Sequence, residues 1–281
     1  NKRNYRKNIF LIDSIYILSL EHDKPRRQRL LKLIQGESNP NLVKSTKLVK
    51  GINSSQIDDY FLKSNNLDYY KNWKLSKKEC LNIAKKYSKK QDSVKYGPCE
   101  MYYNVELKKG QLACLLGHIE CWKQMILNND DYAIVFEDDA WWNPNKCLSY
   151  ELEELFSLKL SFDLFFLGRT PLIESEEVGA KVNPKKYVIP NYSYNSHAYI
   201  LSRQGCLKLL SQNPHKNLLS ADEFLASCYC FHPREDLRNL FPKCLDALAL
   251  KEELIIQMNT EEIARTEGIT WSNVDISEYV K

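Results

Sequence analysis

The stretch Val135–Trp142 reads VFEDDAWW, an apolar run that passes straight into three consecutive acids, Glu137, Asp138 and Asp139, and then two tryptophans. Adjacent carboxylates repel one another. A fold tolerates them at a wet surface or uses them around a cation. The residues before them, DYAIVF, form an uninterrupted apolar strand over Tyr132–Phe136. In an open α/β sheet, ligands gather beyond the carboxyl ends of the strands. The acids therefore stand where a ligand belongs. With strand period two, Glu137 and Asp139 can point the same way, while Asp138 faces the other side or bonds to backbone amides. Trp141 and Trp142 either wall a sugar or base or pack under a loop.

Working outward, GQLACLLGHIECWKQMILNN before the strand has helical spacing, with Leu112, Leu115, Leu116, Ile119, Trp122 and Ile126 on one broad face. SIYILSL (Ser14–Leu20) reads as a first strand, EHDKP as a break and RRQRLLKLI as a helix, the opening of an α/β unit. The span from Gln35 to about Glu100 is polar. It holds a short strand in VKSTKLVKGI, a helix start at Ser54 or Ser55, and an amphipathic helix LSKKECLNIAKKYSKK with Leu81 and Ala84 as buried positions. CLSYELEELFSLK is a helix, SFDLFFLGR a central strand over Phe162–Leu167, and Thr170–Asn191 an excursion or mobile loop. SHAYILSRQGCLKLL is strand, turn and helix. NLLSADEFLASCY starts a helix with Ser220 as N-cap and Asp222 and Glu223 in its first turn. LIIQM is a last short strand before a polar tail.

The 281 residues suit one large domain or two small ones, and 43% hydrophobic content allows a substantial core. A net charge of +4 is too small to argue for nucleic acid. Clusters such as NKRNYRK, KPRR, KLSKKE and KKYSKK read mostly as a solvated lysine-rich surface. The chain has nine cysteines, an odd number with no CxxC pair, which mildly favours a reducing compartment. Cys114 and Cys121 look like small buried hydrophobes rather than zinc ligands. No stretch is apolar enough to cross a membrane. The basic-then-apolar start is interrupted by Asp13 and lacks a cleavage site, so it is read as a strand, not a leader. HExxH, GxSxG, GxxxxGK[ST] and a dinucleotide fingerprint after the first strand do not occur.

Each candidate has a bland alternative. EDD by itself is most often a charged turn. Asp222 and Glu223 are stabilised by the free amides of a helix start, which suits a proton acceptor but equally suits simple capping. His118, among apolar neighbours, is more often a packed core histidine than a ligand. Arg26, Arg27 and Arg169 are phosphate contacts or solvent-facing cations.

Taken together, IYILSL with PRRQRLLKLI, GQLACLLGHIECWKQMI, YAIVFEDDA, FDLFFLGR, NSHAYILSRQGCLKLL and LLSADEFLASCYCFHPREDLRNLF resemble, in order, the blocks of glycosyltransferase family 25. That group holds bacterial lipooligosaccharide galactosyltransferases and procollagen galactosyltransferases. The likeness covers Ile15–Ile34, weakens to about Glu100 and holds from Gly110 to roughly Ile256. It implies a GT-A fold, a Rossmann-like, mainly parallel central sheet flanked by helices, as a single domain over 1–281. About 10–140 would form the nucleotide-sugar half, about 141–260 the acceptor half and 261–281 a tail. It implies inverting transfer of galactose or glucose from a UDP-hexose, with Mn²⁺ or Mg²⁺ held by Glu137, Asp139 and Asn259. Leu18, Arg26, Arg27, His118, Asp138, Arg169 and His197 would line the donor site, and Asp222 with Glu223 would do the proton chemistry. The acceptor would be a glycan or a collagen-like protein bearing hydroxylysine; a homodimer is open. A binding homologue without turnover is the alternative. Two departures stand out: Gly117 replaces the family's usual Ser, and Asn259 takes the place of the relatives' His. The Lys- and Asn-rich composition resembles that of giant-virus proteins, which with the cysteine usage favours (host) cytoplasm; a cellular collagen-type homologue would imply the ER lumen.

Overall fold

The run Ala133–Phe136 is fully buried because it sits inside the sheet with helices on both faces. In the computed structural model, which describes residues 11–88, 102–172 and 177–258, this strand is β3 (Tyr132–Glu137). Its neighbour β1 (Ser14–Ser19) is parallel to it, and β2 (Thr46–Lys50) is parallel to β1 in turn. Leu18 lies beside Glu137 in that register, so both end at the same edge.

On the other side β3 pairs antiparallel with β8 (Ser193–Ser202), which pairs antiparallel with β5 (Leu164–Pro171). The sheet continues through β9 (Ala247–Leu250), β7 (Tyr187–Ile189) and β6 (Val178–Gly179), giving the order β2-β1-β3-β8-β5-β9-β7-β6. β2, β1, β3, β5, β9 and β6 run one way, and only β8 and β7 run against them. This is the α/β, mainly parallel sheet of the GT-A type. A second, two-stranded ribbon pairs β4 (Ala140–Trp141) with β10 (Ile256–Gln257) just past the acids.

Period-two alternation divides the core. Val135, Tyr16 and Leu18 face a cluster built on α5 (Lys109–Leu127), α7 (Arg203–Ser211) and α8 (Ala221–Tyr229). Ile134, Phe136, Ile15 and Ile17 face the opposite cluster, with α1 (Lys24–Gln35) and α6 (Leu148–Ser157). The smaller helices are α2 (Pro40–Lys44), α3 (Asp59–Ser64), α4 (Lys77–Ser88) and α9 (Glu235–Leu240). Pro25 opens α1, where its missing N–H costs nothing, and the first turn places Arg26 and Arg27 at the edge where β1 and β3 end.

Some expectations shift. On α4 it is Cys80 that is buried, while Leu81 is 37% exposed, so the inward face lies one position earlier than expected. The Thr170–Asn191 excursion contains β6 and β7 and closes onto the sheet through β9. Trp142 is a core residue stacked on Phe136, its indole N–H donating to Glu37, rather than a wall for a ligand. Asn259 and the tail lie outside the described residues.

Candidate functional site

β3 ends at Glu137, and the chain turns at Asp138 and Asp139 before β4. The strand alternation stops there, and the carboxylates part company. Glu137 turns toward α5 and β8. His118 Nε2–H donates to Glu137 Oε1 at 3.1 Å, and Ser196 Oγ–H donates to the same oxygen at 2.8 Å. Because a carboxylate only accepts, that imidazole carries its proton on Nε2, and Nδ1 accepts from Tyr199 Oη at 2.8 Å. Trp122 Nε1–H in turn donates to Tyr199 at 2.9 Å. Burial would raise the Glu137 carboxyl, but His118 and Ser196 outweigh it and hold the group down at about 2.

Asp138 and Asp139 share one guanidinium: Arg26 Nη2 lies 2.9 Å from an oxygen of each. Arg29 donates to the Asp138 carbonyl at 2.9 Å, which fixes the turn. Burial pushes the Asp138 carboxyl up to about 6 against the pull of Arg26. Burial and the charge of Glu137 raise Asp139 as well. Gln257, on β10, donates to Asp139 Oδ2 at 3.0 Å, and the Met258 amide donates to the Asp139 carbonyl. Asp139 Oδ1 is buried with no partner. A buried carboxylate oxygen left bare costs free energy until a donor or cation meets it. An all-oxygen corner of this kind fits a hard divalent cation such as Mn²⁺ or Mg²⁺.

The second carboxylate locus is built by a bulge. Across β5 and β8, Gly168 pairs with Ala198 and Thr170 with Tyr194, so Asn195, Ser196 and His197 stand opposite Arg169 alone. Extra residues on one strand kink it and re-aim side chains. Asn195 takes φ 73°, a left-handed conformation uncommon for a residue with a side chain. Its amide N–H reaches Asp222 Oδ2 at 3.3 Å, and its side chain donates to Thr170. Asp222 Oδ1 accepts from Ser220 Oγ at 2.5 Å and from the Glu223 amide at 2.9 Å. Ser220 is thus the N-cap by position, but its hydroxyl serves Asp222 rather than the helix amides. Burial, then the charge of Glu223, pushes the partly buried Asp222 carboxyl up to about 6.

The two loci are joined through β8, whose Ser196 meets Glu137 and whose Asn195 meets Asp222. The Cys114 thiol is driven well above its usual range by burial and then by the charges of Glu137, Asp222 and Asp139.

The remaining predicted residues divide. Arg27 caps the end of β1, donating to Ser19 Oγ and the Leu20 carbonyl. Leu18 is buried, its methyl carbons against Gly117. His197 is buried and donates to the Ile255 carbonyl at 2.9 Å. Arg169 corrects the expectation of a phosphate contact: it is 3% exposed and held by both oxygens of Glu177 at 2.5 and 2.6 Å. Glu223 is fully buried, accepting from Tyr192 (2.5 Å), Tyr103 (3.1 Å) and His232 (2.8 Å), the bonding of a structural carboxylate. Ser196, Asn195 and Gln257 belong to the site and were not singled out in the sequence, and Cys114, read there as a small buried hydrophobe, is partly exposed beside it. The signal for the first two is the polar SYNS step leading into the apolar strand AYIL.

A model of the family described as glycosyltransferase family 25 (LPS biosynthesis protein) matches residues 12–225. The chain belongs to that family. It is similar to procollagen galactosyltransferase 1-A of Xenopus laevis, 27% identical over 273 residues, covering 93% of this chain and 39% of that protein. Procollagen galactosyltransferase 2 of Homo sapiens is 23% identical over 231 residues, covering 82% and 32%. A rat protein named probable inactive glycosyltransferase 25 family member 3 is 34% identical over 153 residues, covering 53% and 27%. The chain thus spans between about a quarter and two fifths of the length of these relatives. Among the described residues, no helix is long and apolar enough to cross a membrane.

Proposed function

We propose that this chain is an inverting, divalent-cation-dependent glycosyltransferase moving galactose or glucose from a UDP-hexose to an acceptor hydroxyl. The observation that carries the reading is the pairing of an acidic strand end, Glu137–Asp139, with a separate, partly exposed Asp222, joined to it through the consecutive β8 residues Ser196 and Asn195. Direct displacement at an anomeric carbon needs one base and one means of stabilising the leaving diphosphate, and no glycosyl–enzyme intermediate.

Asp139, with Glu137, would hold the cation, and Asn259 is proposed as the further ligand. When bound, Mn²⁺ or Mg²⁺ would neutralise charge on the departing UDP. Arg26, now shared by Asp138 and Asp139, would turn to the diphosphate, and Arg27 would fix the strand end below it. His118 keeps Glu137 ionised and oriented. Asp222 would take the acceptor proton on Oδ2, which carries a single long bond. The part of the chain up to β3 would form the donor half and the part beyond it the acceptor half. The likeness to procollagen galactosyltransferases favours a collagen-like acceptor bearing hydroxylysine, with a glycan as the alternative acceptor. The same likeness is compatible with work in the ER lumen.

A second reading, a binding homologue without turnover, is favoured by one observation, the similarity to a relative named as probably inactive. Titration calorimetry of UDP with and without Mn²⁺ tests the proposal at its cation site. UDP should bind more tightly with Mn²⁺, Asp139→Ala should lose that gain, and Asp222→Asn should keep it. Equal affinity in all samples would make EDD a structural turn held by Arg26 and Arg29.

A further inference from the structure

We propose that Cys114, His118 and Glu137 form a thiolate-containing site for a borderline-soft divalent cation of the zinc class. Its ligand set differs from the all-oxygen corner at Asp139, although Glu137 serves both. Cys114 and His118 are one turn apart on α5 and share a face, and Glu137 meets them from the end of β3. One ligand atom from each lies within 4.8 Å of the other two, and His118 Nε2 is already 3.1 Å from Glu137 Oε1. A tetrahedral ion bound at 2.0–2.3 Å holds its ligands roughly 3–4 Å apart, so only a small closure is needed. Sulfur and imidazole donors select zinc over magnesium or manganese.

The surroundings suit such an ion. Tyr199, pinned by the Trp122 indole, fixes the far side of the His118 ring, as outer partners of metal-bound histidines do. On binding, the imidazole proton moves to Nδ1 and is donated to Tyr199, whose hydroxyl proton gives up its bond to Nδ1 and turns away from the ring. Access is open, since Cys114 is partly exposed and the Glu137 side chain is 19% exposed. The acids that raise the Cys114 thiol also attract a cation, and its arrival expels the thiol proton, so binding releases a proton and strengthens with pH. Resting on the function proposed above, zinc here draws Glu137 away from the donor cation and inhibits transfer.

The test uses reduced, metal-free protein titrated with Co²⁺, a coloured substitute for Zn²⁺. A thiolate-to-cobalt charge-transfer band in the near ultraviolet, with intense tetrahedral bands in the visible, is expected at one equivalent and is bleached by Zn²⁺. Both sets of bands should vanish in Cys114→Ser and persist in Cys147→Ser, whose thiol is exposed. Affinity should fall by more than the ~10–100-fold that loss of an outer partner costs. Should Cys114→Ser misfold, alkylation of the unaltered protein decides. At alkaline pH and long exposure, where the raised Cys114 thiol is alkylated in the metal-free protein, one equivalent of Zn²⁺ should protect Cys114 from iodoacetamide and leave Cys147 reactive. Absence of the bands, their survival in Cys114→Ser, or equal alkylation of Cys114 with and without Zn²⁺ overturns the site. If the cobalt spectrum is as expected but Mn²⁺ supports neither UDP binding nor transfer, the zinc site stands and the transferase reading falls.

Discussion

Glu137 and Asp222, on different elements, are tied together by consecutive residues of one strand: Ser196 donates its hydroxyl to Glu137 at 2.8 Å, and the Asn195 amide reaches Asp222 at 3.3 Å. The bulge in β8 therefore sets the relation between the Glu137 and Asp222 carboxylates. Replacing Asn195 by Ala should keep UDP binding and lower kcat, because the left-handed turn and the Thr170 bond that aim the amide are lost. Equal kcat in both proteins would detach the bulge from catalysis.

Asp222 and Glu223 should separate cleanly. Asp222→Asn should lower kcat by roughly 10²-fold or more while leaving UDP affinity near its starting value. Glu223→Gln removes a buried charge from His232 and two tyrosines and should cost about 3–5 kcal/mol of stability in denaturant titration. A stable, inactive Glu223→Gln beside an active Asp222→Asn would reverse the assignment.

The pH profile follows from the raised Asp222 carboxyl. A base works deprotonated, so kcat/KM should fall with acid below about pH 6, and Asp222→Asn should lack that limb. The sign for stability is opposite. The folded chain holds this proton up to about 6 against an ordinary 3.8, so the contribution of Asp222 to stability falls as pH rises through that interval and is flat above it. Rate profiles and denaturation midpoints across that range check both.

Two glycines should behave differently. A Cβ at Gly168 would lie 1.8 Å from the Ile255 carbonyl, which is backbone, and 2.5 Å from His197. Gly168→Ala should cost about 3 kcal/mol or more and, by displacing β10, weaken the Gln257–Asp139 bond. A Cβ at Gly117 would meet only the Leu18 side chain, its methyls at 2.5 and 2.7 Å and its Cγ at 3.2 Å, a flexible end rather than backbone. Gly117→Ser should change stability by about 1 kcal/mol or less, since a side chain also favours the helix. Thermal melts of both variants decide.

What was legible in the sequence is what local pattern controls. β3, β1 and α5 carry long apolar runs of one period, and their acids and arginines follow by position. β9 escaped because ALAL is as good in a helix as in a strand, and only parallel pairing with β5 makes it one. The role of Arg169 escaped because its partner, Glu177, lies across a loop whose course the sequence does not state. Glu223 and Asp222 look equivalent in a row of letters. Burial among Tyr103, Tyr192 and His232 distinguishes them, and that depends on elements 120 residues and 9 residues away.

The central claim is turnover at the joined carboxylates, and product analysis tests it most directly. The protein is incubated with Mn²⁺, UDP-galactose or UDP-glucose and a hydroxylysine-bearing collagen-like peptide, and UDP release and the anomeric form of the product are measured. One donor should release UDP only when Mn²⁺ and peptide are both present, giving an inverted, β-linked sugar, with the rate lowered roughly 10²-fold by Asp222→Asn. Mn²⁺-dependent UDP binding without release from either donor would contradict the account and leave a binding protein.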